Sequence, residues 1–395
     1  MPGVSTLAIH AGDEPDEATG AVADLVTSST YLMKETVPFS AHGLEDDTPY
    51  VYTRWANPTV DALQRKLAAL EGTEACRCFA SGMAAAAAVF LSVLSAGDHL
   101  LVSDVSYAGV AELARETLPR FGIEVTAVDM SDLGAVSAAI RGNTKLIHTE
   151  TPVNPILRLT DLAAVCAIAK SAGALVSCDA TFATPVGMQP ARLGVDYVIH
   201  SLTKYIGGHG DALGGAVCCS AGLARRLHAE SVIHHGGILS PFNAWLIARG
   251  AATLPLRMRQ HQENALAVAR FLESRRGVRR AIYPGLESHP QHALAKRQMT
   301  NFSGMIAFQV GGKAQGEAVA EAMMRRFETI HYAVSLGHHR SLCYWLGTDS
   351  LMESTFRLAG RQLESWKAFA GEGVFRLSVG LEDAADIIAD LDRVL

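Results

Sequence analysis

Along the middle of the chain, from about Leu63 to Cys219, short apolar runs alternate with amphipathic stretches. That alternation predicts βα units around a mostly parallel sheet, because strands covered by helices on both faces read as continuous apolar runs. The predicted strands are His99–Ser103, Ile123–Val128, Thr144–Thr149, Ala174–Cys178, Tyr197–His200 and, closing the block, Gly215–Cys219. Helical patterns lie between them, as at Leu133–Ile140 and Leu162–Ala172. The longest apolar run, Gly82 to Ala96, is Ala-rich and shorter than the roughly 20 residues that span a bilayer, which predicts a buried helix.

Beyond about Arg249 the texture changes. A helical pattern over roughly Leu256–Ser274 leads into turns at Pro284-Gly285, Ser303-Gly304 and Gly311-Gly312, where strand-like pieces (Met305–Val310, Phe375–Val379) mix with helices. The 395 residues exceed the roughly 250–300 that one core usually holds. Residues 61–250 therefore read as a large domain and 251–395 as a smaller C-terminal α/β domain packed on it. Residues 1–60 fit neither pattern. They read as an arm docked on a partner, because Tyr31, Tyr50, Tyr52 and Trp55 are costly to leave in water.

Composition narrows the role. A net charge of −6 offers no basic footprint for nucleic acid, and no run is apolar enough for a membrane span. The first twenty residues carry Asp13, Glu14, Asp16 and Glu17 without a basic or apolar leader, so no secretory signal is expected. Most of the seven cysteines sit inside apolar runs, as reduced thiols of a cytoplasmic protein do. Neither Cys76-x-Cys78 nor Cys218-Cys219 has the paired spacing of a zinc site, and no metal is expected.

Open α/β sheets place ligands at the carboxyl ends of their strands, and three such ends carry unusual polar residues. One predicted strand runs into Asp179-Ala-Thr181, the next into Ser201-Leu-Thr203-Lys204, and another into Asp104-Val-Ser-Tyr107. A buried carboxylate beside an amine suits pyridoxal phosphate, whose ring nitrogen needs an anion and whose aldehyde needs a lysine. Ser81-Gly82-Met83 opens the Ala-rich helix and aims backbone N–H groups at an anion such as the cofactor phosphate. Ser201 and Thr203 would add hydroxyl donors, and Tyr107 is the aromatic placed to stack on a flat ring. Singly, each residue has a plainer role: Asp179 is as readily a helix N-cap before Thr181-Phe182, Lys204 a solvated lysine, Ser81 an ordinary cap and Tyr107 packing. Their order and spacing carry the reading.

These residues fall within motifs that extend over nearly the whole chain. They are Thr6-Leu-Ala-Ile-His-Ala-Gly12, Tyr52-Thr-Arg-Trp-Ala-Asn-Pro-Thr59, Ser81-Gly-Met83, Glu150-Thr-Pro-Val-Asn-Pro155 and Asp179-Ala-Thr-Phe-Ala-Thr-Pro185. The most specific is His200-Ser-Leu-Thr-Lys-Tyr-Ile-Gly-Gly-His-Gly-Asp211, followed by Ser335-Leu-Gly337 and Phe375-Arg-Leu-Ser-Val-Gly-Leu-Glu-Asp383. In them the chain resembles the Cys/Met-metabolism pyridoxal-phosphate enzymes: cystathionine γ-synthases and γ-lyases, methionine γ-lyases and sulfhydrylases. The resemblance implies the fold type I, aspartate-aminotransferase-like architecture. It makes Lys204 the Schiff-base lysine and Asp179 the partner of the ring nitrogen, with Ser81, Gly82, Met83, Thr181, Ser201 and Thr203 around the cofactor. Tyr107 would stack on the ring and move protons at the γ-substituent. Tyr52 and Arg54 would cross to the neighbouring subunit's phosphate, which implies a dimer paired into a homotetramer. Arg376, with Ser335 and Asn154, would hold the carboxylate of a small amino-acid substrate, a task that suits a guanidinium fork.

The chain also departs from that family. Ala180 follows Asp179 where many relatives have Asn, and Tyr107-Ala-Gly109 lacks the cysteine of many methionine γ-lyases. His338-His339-Arg340 stands where relatives carry small or acidic residues, including the glutamate of the cystathionine enzymes. Arg340 disfavours a distal ammonium; the three residues either favour a distal anion or face solvent. His209-Gly210-Asp211 is closer to methionine γ-lyases. The leading expectation is methionine γ-lyase-like elimination to a 2-oxo acid, ammonia and a thiol; γ-replacement and cystathionine γ-lyase activity are the alternatives. A ligand-sensing regulator would need an appended helix pair, which residues 1–60 do not suggest, and Gly207-Gly-His-Gly210 lacks dinucleotide-loop spacing.

Overall fold

The computed structural model describes residues 2–16, 19–33, 36–37 and 50–395. Glu17 and residues 38–49 of the expected arm lie outside the described residues. Seven strands form the larger sheet: β1 (Ala75–Phe79), β2 (His99–Ser103), β3 (Glu124–Val128), β4 (Thr144–Glu150), β5 (Leu175–Asp179), β6 (Tyr197–Ser201) and β7 (Gly215–Cys219). Their order is β1-β7-β6-β5-β4-β2-β3. From β6 to β3 all neighbours are parallel, while β7 runs antiparallel to both β6 and β1. Six of these strands are those expected from the apolar runs. The seventh, β1, has no such run because Arg77 interrupts it, yet its period of two turns Cys76 and Cys78 into the core.

Helices cover the sheet where the amphipathic stretches predict them, at Leu133–Ala139 and Leu162–Ser171. The Ala-rich run becomes a helix over Gly82–Val93, capped by Ser81 Oγ accepting from the Ala84 N–H at 3.1 Å. Five further strands make a second, smaller sheet: β8 (Arg280–Ile282), β9 (Met305–Gln309), β10 (His331–Tyr332), β11 (Leu342–Gly347) and β12 (Gly373–Ser378), in the order β10-β11-β12-β9-β8. Its core is separate and aromatic, with Phe308 stacked on Phe375 at 5.0 Å.

The long helix Leu254–Ser274 ties the two sheets together. Its buried Arg257 donates to the backbone oxygens of Tyr205 (2.6 Å) and Ile206 (3.2 Å), directly after Lys204, and to that of Gly250 (2.7 Å). Gly208 is required there: its φ is +75° and a Cβ would lie 2.2 Å from the Arg257 guanidinium. From the same helix, His261 Nδ1 meets Val379 O at 2.8 Å and Asn264 donates to Glu382 O at 2.7 Å. The end of β12 is thereby held against the loop that carries Lys204.

The N-terminal segment is not wholly detached. A helix over Val4–His10 packs on the helix Pro58–Glu71, where Lys66 Nζ donates to Ala8 O (2.7 Å) and Ile9 O (3.1 Å). Val22, Leu32 and Met33 are exposed, Leu32 almost fully at 98%, whereas Trp55 is buried. No helix among the described residues is long and apolar enough to cross a membrane.

Candidate active site

Parallel strands end at one edge of the larger sheet, and the candidate residues collect there. Glu150 closes β4 and Asp179 closes β5, as direct partners in the ladder. Burial raises the pKa of both carboxyls, and the charge of Asp179 raises Glu150 further. Asp179 Oδ1 accepts from the Thr181 N–H at 2.9 Å, and Thr181 Oγ1 accepts from the Ser201 N–H at 2.8 Å. That chain of bonds locks the β5 end to the β6 end. Asp179 is not a helix cap: the next helix is Thr184–Gly187 with Ala183 at its N-cap.

Lys204 follows β6 by three residues and is half-buried. Its Nζ donates to Ser335 Oγ at 3.0 Å, and its pKa is lowered first by burial and then by the nearby Arg376 charge. Arg376, on β12, donates to Asn154 Oδ1 at 3.0 Å and to Ser335 O at 3.1 Å. Ser335 sits at φ 86°, in the left-handed region that a serine seldom adopts, and so turns its hydroxyl toward Lys204. Gly337 has φ +70° and packs on the Lys204–Tyr205 backbone, where a Cβ would come within 2.7 Å of Tyr205 N.

The anion-binding corner forms where the helix Gly82–Val93 meets β6. Ser81 takes the Ala84 and Ala85 N–H groups, which leaves Gly82 and Met83 N–H without a partner inside the helix. A Cβ on Gly82 would lie 3.0 Å from Ser201 Cβ and 3.1 Å from its Oγ, so only glycine keeps this corner open. Thr203 is turned away from the role of free donor: its hydroxyl both accepts from Gly214 N (3.1 Å) and donates to Gly214 O (3.2 Å). Tyr107 is 47% exposed, and its ring, like Met83, borders Gly109. Its N–H donates to Glu150 Oε2 at 2.6 Å, while the Asn154 N–H donates to Glu150 Oε1 at 2.7 Å.

Thus Ser81, Gly82, Met83, Tyr107, Asn154, Asp179, Thr181, Ser201, Thr203, Lys204, Ser335 and Arg376 lie around one strand-end region. Tyr52 and Arg54 do not join them. The Arg54 guanidinium donates to Ile233 O and stands 5.5 Å over the Tyr52 ring, beside a cavity of about 540 Å³ lined by Tyr50, Trp55, Asn57 and Asp61. Three residues beside the site were not among the candidate site residues read from the sequence. Glu150 orients both Tyr107 and Asn154 through backbone bonds, which residue types alone do not announce. The buried pair Glu71–His200 (2.8 Å) lies nearby; that these two residues, 129 positions apart, pair is not visible in the chain.

A half-buried amine of lowered pKa, a half-buried carboxylate at the neighbouring strand end and a helix N-terminus whose Gly82 packs closely on Ser201 are residues that fit pyridoxal phosphate. Comparison with known proteins agrees. Residues 5–395 match the family model described as Cys/Met metabolism PLP-dependent enzyme. The chain is 44% identical over 396 residues to a canavanine γ-lyase of Rhizobium leguminosarum bv. trifolii, covering 99% of this chain and 95% of that protein. It is 39% identical over 400 residues to a cystathionine γ-synthase of Mycobacterium tuberculosis, covering 100% and 97%. The crystal structure of cystathionine γ-lyase from Lactobacillus plantarum complexed with L-serine superposes with a TM-score of 0.88 at 36% identity, covering 99% of this chain and 98% of that one. The chain belongs to the Cys/Met-metabolism family of PLP-dependent enzymes.

Proposed function

We propose that the protein catalyses γ-elimination on a free α-amino acid whose Cγ carries an uncharged leaving group through sulfur or oxygen. A methionine-like thioether and a canavanine-like guanidinooxy group are the two members of that class. The observation that carries the reading is the run of hydrogen-bonded residues from Asn154 through Arg376 and Ser335 to Lys204. It sets a carboxylate clamp beside an amine whose pKa is lowered.

In this reading Gly82 and Met83 N–H, with the Ser81 and Ser201 hydroxyls, hold the cofactor phosphate, and Thr203 braces the Lys204 loop. Asp179, steadied by Thr181, would pair with the ring nitrogen of the cofactor, whose positive charge would offset the burial that raises the Asp179 pKa. Tyr107 lies against the ring. Pyridoxal phosphate, bound there through Lys204, supplies an electron sink for charge left at Cα. Arg376, Asn154 and Ser335 hold the substrate carboxylate. Lys204 Nζ removes the Cα proton and then one from Cβ, and Tyr107 holds a proton at the departing heteroatom. Arg340 opposes a distal ammonium, which cystathionine carries together with a distal carboxylate and methionine lacks. An oxygen on a guanidino group withdraws electrons and lowers its basicity, so the canavanine side chain meets the same requirement.

The proposal includes the assembly. Residues 1–60 form an arm, 61–250 the cofactor-binding domain and 251–395 the C-terminal domain of a cytoplasmic homotetramer of dimers, with Tyr52 and Arg54 reaching the neighbouring phosphate.

A substrate screen tests the reaction. PLP-loaded protein is offered methionine, canavanine, homocysteine, cystathionine, cysteine and O-acylated homoserines, and 2-oxo acid, thiol, hydroxyguanidine and homoserine are assayed. Methanethiol from methionine or hydroxyguanidine from canavanine is the expected result. Silence on both, with turnover of an O-acylated homoserine plus a thiol, would reject elimination in favour of replacement.

A further inference from the structure

The hydrogen bonds that leave Lys204 do not stop at Ser335. Lys204 Nζ donates to Ser335 Oγ at 3.0 Å, and Ser335 Oγ in turn lies 3.2 Å from His338 Nε2. The imidazole is held in place: it packs on Gly210, where an added Cβ would come within 2.6 Å of the ring, and the adjacent His339 N–H is tied to Gly208 O at 2.9 Å. His338 is half-buried in a loop whose residue 340 is exposed. It is therefore the first titratable group between Lys204 and water along this path.

We propose that His338 is a positioning residue that governs the proton on Lys204 through Ser335, and that Lys204–Ser335–His338 is the route by which the proton taken from Cα leaves the site. An N–H bond of the Lys204 ammonium breaks as its proton passes to Ser335 Oγ. The Ser335 O–H bond breaks as its own proton passes to His338 Nε2. Ammonium and neutral imidazole become amine and imidazolium, the hydroxyl is restored, total charge is unchanged, and water then takes the proton from the ring. The direction of travel requires a ring that is neutral at rest. Burial and the charges of Lys204, His339 and Arg340 hold the His338 pKa below the ordinary histidine value, against an opposing pull from Asp211 on the loop after Lys204. These are the charged groups that act on the ring from the two loops packed around it. A histidine here also accounts for part of the His338-His339-Arg340 departure.

The inference rests on Lys204 being the base of the proposed reaction, so its test uses an amino acid that cannot eliminate. The holoenzyme is given L-2-aminobutyrate in D2O, and loss of the α-proton signal is followed by NMR across pH. In parallel, cofactor-free protein is mixed with pyridoxal phosphate and the pH dependence of its capture by Lys204 is read from absorbance. The wild-type protein should exchange the α-proton, with an acid inflection below the ordinary histidine range in both measurements. His338→Gln should slow exchange by about tenfold or more and erase the inflection from both. His338→Gly leaves space that added imidazole fills, and imidazole should restore exchange saturably. A Gln variant with the wild-type rate and pH profile would overturn the relay alone. So would a Gly variant that captures cofactor normally yet gains nothing from imidazole. Absence of exchange in the wild-type protein would overturn the Lys204 assignment and the relay with it.

Discussion

The charge on Lys204 depends on Arg376, a residue of the other sheet. Burial lowers the lysine pKa and the guanidinium lowers it further, so an amine that would be an ammonium in water is closer to a base here. Substituting Arg376→Gln keeps a donor for Asn154 Oδ1 but removes the positive charge. The Lys204 pKa then rises, and the pH below which cofactor-free protein stops capturing pyridoxal phosphate should move up. Capture rates against pH, read from cofactor absorbance, check this; an unchanged or lower midpoint would show that the two charges are not coupled. At this scale the sequence was informative where chemistry sits at a strand end. Lys204, Asp179 and Tyr107 were legible because the preceding apolar runs mark where a sheet presents its edge. Glu150 stands at such an end too, but its work is to accept two backbone N–H groups, and a pattern of side chains does not display backbone donors. His338 was visible as an oddity, without the Ser335 contact that makes it interpretable.

Elements were legible where an apolar or β-branched run marked them, including the largely exposed β3. β2, β7 and β9 are buried along their full length and centre on apolar runs, whereas β1 and β11 mix polar residues or partial exposure into the run and were missed. The helix after Ser81 was expected to run to Ala96 and ends at Val93, since the capping Leu94 turns into extended backbone. What the pattern could not give is how close two elements approach. Gly82 opens that helix against Ser201 of β6, and the 3.0 Å clearance measured from a Cβ at position 82 means Ser201 would have to give way. Gly82→Ala should therefore weaken pyridoxal phosphate retention by about tenfold, because the phosphate corner loses its opening while alanine suits the helix. Equilibrium dialysis against the cofactor, with thermal unfolding of the cofactor-free protein as control, tests the point. Wild-type affinity in a stably folded variant would place the phosphate elsewhere.

On the scale of the whole molecule, the described chain carries features that a single copy does not explain. Arg54 and Tyr52 belong to the motif that resembles the family's cofactor-binding arm, yet Arg54 lies against Ile233 and Gly236 of its own chain and over the Tyr52 ring. Val22, Leu32 and Met33 of the same N-terminal segment are exposed apolar side chains. If the arm serves a neighbouring site, the two halves of that site can be damaged on different chains. Lys204→Ala destroys the site in its own protomer; Arg54→Ala damages the site of its partner. In a dimer of one Lys204→Ala chain and one Arg54→Ala chain, both defects fall in a single site: the Arg54→Ala protomer keeps its own lysine and receives an intact arginine only from the other chain. That same protomer lends its defective arm to the site that already lacks Lys204. One of two sites is then whole. Random pairing of equal amounts makes about half the dimers mixed, so about a quarter of all sites should be restored, from two parents that are each nearly inactive. Co-expression or refolding of the two variants together, followed by turnover per subunit, reads this directly. Activity that never exceeds the mean of the two parents would mean that each chain completes its own site and that Arg54 acts within its own protomer.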